Sequence, residues 1–123
     1  MPFPDPSVIA TAADLCLRPW RHGVVVLDDS ALPDELCLRL ECRDGDGSRQ
    51  PGRDLELELY RSGRDLHLML SWPSEPEAPM LWQGRHPVWM DPQSGQRCSS
   101  PGGESDALEA LARRLRALLN PSG

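Results

Sequence analysis

Asp54-Leu55-Glu56-Leu57-Glu58-Leu59-Tyr60-Arg61-Ser62-Gly63-Arg64-Asp65-Leu66-His67-Leu68-Met69-Leu70-Ser71-Trp72 places a leucine at every second position on both sides of a Ser-Gly pair. Successive side chains of a strand point to opposite faces, so this alternation is that of a β-hairpin with one apolar face. With Ser62-Gly63 as the turn, Leu59 pairs with Leu66, Leu57 with Leu68 and Leu55 with Leu70. The other face then pairs Tyr60 with Asp65, Glu58 with His67 and Glu56 with Met69. One packed face and one wet face indicate antiparallel pairing, because parallel sheets are covered on both sides.

Working outward, Val24-Val25-Val26-Leu27 reads as a short, buried β-branched strand, and Leu36, Leu38, Leu40 and Cys42 alternate with polar residues as a half-buried one. The Gly- and Pro-rich loop from Asp44 to Arg53 joins that strand to the hairpin. After Trp72, prolines at 73, 76 and 79 predict an extended acidic linker. Met80–Gln83 and Pro87–Asp91 then read as two short strands. Asp91-Pro92-Gln93-Ser94-Gly95 has the chemistry of a type I turn closed by a left-handed glycine, with Gln96-Arg97-Cys98 returning as a further strand.

Two helices are predicted. Val8, Ile9, Ala12, Leu15 and Cys16 recur at helical spacing behind Ser7 as N-cap, up to Pro19. Ser105 caps a second helix whose Leu108, Leu111, Ala112, Leu115, Leu118 and Leu119 form a core-facing stripe. Arg113, Arg114 and Arg116 lie off that stripe, and Glu109 stands four residues before Arg113 in the favourable order. The fold class is therefore α+β: an antiparallel meander sheet of five to six strands, the C-terminal helix packed on one face, and a short N-terminal helix as a second cover. Residues 1–7 read as an extended or disordered N-terminus and 8–120 as one domain.

All 13 cationic side chains are arginine, which removes Schiff-base, P-loop and lysine-base chemistry. A formal net charge of -6 opposes nucleic acid and anionic membranes as partners. No segment has the composition of a signal peptide or approaches the roughly 20 apolar residues of a membrane span, so a cytoplasmic location is expected. Cys16, Cys37, Cys42 and Cys98 show no zinc spacing and read as reduced thiols, and no cofactor or metal is expected. Asp44-Gly45-Asp46-Gly47-Ser48 opens like a calcium loop, but the glycine and glutamate such a loop needs at positions 6 and 12 are Arg49 and Leu55.

No catalytic motif is present, and no residue is assigned a catalytic role. His22, His67 and His86 are available imidazoles, and Cys98 beside Arg97 is the best nucleophile candidate. These support the alternative reading, a small enzyme acting on an anionic substrate. The segment from Trp72 to Trp89 holds three of the four tryptophans, and tryptophan and arginine are enriched at binding hot spots. Trp82, Arg85, His86 and Trp89 are accordingly the candidate protein-binding residues. The expected function is a small acidic interaction module, such as an assembly factor, adaptor or chaperone-like subunit, with a protein partner or a second copy of itself as ligand.

Overall fold

The leucine alternation produces a sheet with one dry face. The computed structural model describes residues 6–28, 35–62, 65–84, 86–103 and 105–119. Six strands, β1 (Arg21–Asp28), β2 (Glu35–Arg43), β3 (Leu55–Ser62), β4 (Asp65–Ser71), β5 (Met80–Gln83) and β6 (Pro87–Met90), pair antiparallel in chain order. Helices α1 (Pro6–Cys16) and α2 (Ser105–Leu119) lie on the leucine face, α1 over β1 and α2 over β4 to β6. This is the α+β two-layer meander expected from the alternation.

All six hairpin leucines are buried, and the rows continue across the sheet: Leu38 to Leu57 to Leu70 to Leu81, and Leu36 to Leu59 to Leu68. Ile9, Ala12 and Ala13 of α1 and Leu108, Leu111, Ala112, Leu115 and Leu119 of α2 close the core. Leu118, expected in the stripe, is instead 46 % exposed. The buried arc of α2 is thus narrower than its leucine content.

The hairpin register differs from expectation by two residues. Leu57 pairs with Leu70, Leu59 with Leu68, Arg61 with Leu66 and Ser62 with Asp65; Gly63 and Arg64 lie outside the described residues. A Ser62-Gly63 turn would set Arg61 directly against Arg64, a like-charge pair that costs stability. An even shift preserves parity, so the leucines keep their face. The polar partners change: His67 stands opposite Tyr60, not Glu58, and Met69 stands opposite Glu58.

Other local differences have simple causes. Pro6 and Ser7, counted on sequence with the extended N-terminus, form the first turn of α1, where proline's missing N–H costs nothing; residues 1–5 lie outside the described residues. Residues 73–79 are two successive turns rather than an extended linker, closed by Glu75 N–H to Trp72 O and Ala78 N–H to Glu75 O, and pinned by Ser74 Oγ to Gly52 O at 2.9 Å. The Asp91 turn is as expected, with Gly95 at φ +71°. The return at 96–98 makes only a bridge, Arg97 to Met90, with Cys98 N–H donating to Trp89 O. Ser105 is the first residue of α2 and not its cap; its hydroxyl donates to Gly102 O at 2.6 Å.

The loop after β2 is tied by carboxylates. Asp44 Oδ1 accepts the N–H groups of Asp46 and Ser48, which uses this acid inside its own turn. Asp54 is buried and accepts a bidentate pair from Arg49 at 2.8 and 2.9 Å together with the Cys42 N–H at 2.8 Å. The bonded Arg49 guanidinium holds the Asp54 carboxyl below the usual carboxylate value, against the opposing effect of burial, and the Cys42 N–H adds to that depression.

Candidate functional site

Both helices pack on the leucine face, so no described helix covers the other side of the sheet. That open face divides by composition. On β2 and β3 it carries Glu35, Glu41, Glu56 and Glu58 with Arg39 and Cys37; on β4 to β6 it carries Met69, Met80, Trp82, Val88 and Met90. One row runs straight across, from Glu58 to Met69 to Trp82 to Val88. An acidic strip thus lies beside an apolar one.

Trp82 is held rigidly within the apolar strip. Tyr60, His67 and Trp82 stack in sequence, with ring centroids 5.5 and 5.3 Å apart, and the Trp82 indole N–H donates to the Tyr60 hydroxyl at 2.6 Å. His67 Nδ1 is buried between the rings without a hydrogen-bond partner. In the neutral ring this favours the proton on Nε2, since a buried N–H without an acceptor costs more than the exposed alternative. Gly84 makes the stack possible: a Cβ there would lie 2.7 Å from Trp82 Cη2 and 3.3 Å from His67 Nδ1. Gly84→Ala is expected to displace the indole from Tyr60 and cost about 1–3 kcal/mol. Loss of the Trp82 near-UV dichroism, with a lower urea midpoint, is the readout.

Beside the stack opens a recess of about 350 Å³ lined by Asp65, His67, Trp82, His86, Val88 and Arg116. Of the four residues singled out on sequence, the structure brings Trp82 and His86 together here. Trp89 points the other way: it is 6 % exposed in the core, and its indole N–H donates to Glu109 of α2 at 3.0 Å. Arg85 lies outside the described residues. The sequence reading missed Tyr60, His67 and Gly84 as the frame of Trp82, because the slipped register put His67 against Glu58.

The remaining candidates are dispersed. His22 is buried against Asp14 of α1, with Nδ1 3.0 Å from Oδ1, and so ties α1 to β1. Cys98 is half-buried against the core. The four cysteines are free thiols, and burial raises the pKa of Cys16 and Cys42. Among the described residues no group of three His, Cys, Asp or Glu side chains converges as a metal site, and no helix is long and apolar enough to cross a membrane. The recess offers imidazoles, a guanidinium and a carboxylate around an indole, a set suited to contact with another molecule.

A six-stranded meander with helices on one face and an apolar-acidic surface on the other defines a one-sided α+β domain. The chain belongs to the family described as Domain of unknown function (DUF8659), whose model matches residues 6–118. No curated protein and no solved structure matches it.

Proposed function

We propose that this protein is a small cytoplasmic interaction module that docks a protein partner on the open face of its sheet. The observation that carries this reading is the half-buried strip of Met69, Trp82 and Val88, which no described helix covers, beside Glu56 and Glu58. Such a surface suits a partner whose apolar patch is flanked by basic residues. Methionine adapts to the partner's shape, while an indole already fixed by Tyr60 and Gly84 loses little conformational entropy on binding. Four free thiols and no disulfide among the described residues agree with a reducing compartment.

Affinity purification from the native host, with wild-type protein and the variants Trp82→Ala and Met69→Arg, tests the reading. A stoichiometric partner is expected with wild type, and its affinity is expected to fall roughly thirtyfold with Trp82→Ala, the effect of removing an anchor worth about 2 kcal/mol. Met69→Arg, placed opposite Glu58, is expected to keep the circular dichroism of the wild type and to weaken the same partner. A partner retained by both folded variants, or no partner with wild type, overturns the proposal.

A further inference from the structure

The two edges of the sheet are treated differently. The outer side of β6 is closed by the returning chain, through the Arg97 to Met90 bridge and the Cys98 N–H to Trp89 O bond. No described strand pairs with the outer side of β1, and three consecutive residues there, Val25, Val26 and Leu27, are 40, 46 and 38 % exposed. Bare edges with apolar side chains are templates for another strand, which is why soluble proteins blunt them with charge, proline or a covering segment. β1 carries none of these between Gly23 and Leu27.

The backbone of β2 shows which groups of β1 are turned away from it. The Cys42 N–H donates to Asp54 and the Cys42 carbonyl accepts from Gln50 N–H, so both point away from β1. His22 and Cys42 therefore face each other as a pair without mutual hydrogen bonds. By the antiparallel alternation Gly23 and Val25 bond to β2, while His22, Val24 and Val26 turn their N–H and C=O groups off the edge. The run is bounded by the strand's start at Arg21 and by the register shift between Val26 and Asp28, and its centre is Val24.

We propose that β1 is the seam of a homodimer in which two copies pair antiparallel about a two-fold axis at Val24, joining their sheets edge to edge. That register alone matches all three outward residues, His22 to Val26, Val24 to Val24 and Val26 to His22. It sets Val25 against Gly23 of the second copy, where there is open space for a side chain. Charge agrees with the direction: Arg21 at the start of one strand comes beside Asp28 at the end of the other. The seam is isologous, as a two-fold requires, and it leaves the open face free.

Sedimentation equilibrium of the full chain tests the seam. The expected mass rises with concentration toward twice 13.7 kDa. Val24→Pro removes an outward N–H that the β1–β2 ladder does not use, and Val26→Lys places a charge at the seam; each is expected to weaken association at least about tenfold with the circular dichroism unchanged. A photoreactive benzoylphenylalanine at position 25 is expected to label the second copy at residues 22–24. A single-chain mass up to about 1 mM, or a dimer that both variants leave intact, overturns the proposal. Trp82→Ala is expected to keep the dimer mass while losing the docked partner, so failure of the seam and failure of the open-face reading are distinguishable.

Discussion

Leu68→Ala is expected to destabilise the protein by about 3–4 kcal/mol, the cost of deleting a fully buried leucine and leaving a cavity. Leu68 is 0 % exposed and sits between Leu59 of β3 and Gln83 of β5 on the face that α2 covers. Against a total stability of about 5–15 kcal/mol for a domain, the loss leaves a substantial unfolded fraction at physiological temperature. Met69→Ala, one residue further and on the open face, is expected to cost less than about 1 kcal/mol. The urea midpoints of the two variants measure the one-sidedness of the sheet directly. Equal losses would mean that both faces are packed.

Asp54→Ala is expected to cost about 2–3 kcal/mol at neutral pH, since it leaves the Cys42 N–H and Arg49 without their common acceptor. The figure stands below that of a fully buried pair because the Arg49 side chain is 32 % exposed. The same carboxylate sets an acid limit. Its pKa is depressed in the folded state, so its contribution is present above the unfolded value of about 3.9 and is lost as the pH falls through the lower folded value. The stability gap between wild type and Asp54→Ala is therefore expected to be constant from about pH 7 to 5 and to close below about pH 4. Urea titrations over that range check it. A gap that stays constant into acid would show that Asp54 acts without its charge.

The hairpin and the helical stripe were legible because parity survives small errors. The two-residue slip that moved His67 from Glu58 to Tyr60 left every hairpin leucine on its face, since two is the period of a strand. The same slip rearranged the open face, whose chemistry depends on which residues are neighbours rather than on which side they occupy. The sequence contained one signal for the right register, the clash of Arg61 with Arg64 that the serine-glycine turn would have made. In the loop that opens like a calcium site, Asp44 bonds the N–H groups of its own turn.

The candidate site was legible only in part. Trp82 and Trp89 lie on short strands in which methionine, leucine, glutamine and tryptophan alternate, and hydrophobicity does not tell the two faces apart. The pairing of Trp82 with Val88 and of Leu81 with Trp89 decides it: Trp82 goes to the open face, and Trp89 goes to the core with Glu109 as acceptor for its indole. Likewise, a run of three valines reads as a buried strand, yet β1 is an edge with Val25 and Val26 exposed. β-Branched residues suit a strand wherever it lies in a sheet.

By itself, then, the order of residues determined the two helices, the six strands and the leucine face of the central hairpin, because these follow from periods of 2.0 and 3.6 that a single chain carries locally. Tertiary structure alone decided which tryptophan faces the side that no described helix covers, what holds it, and which strands end the described sheet. Those depend on register and strand order, which are set by contacts between segments far apart in the chain.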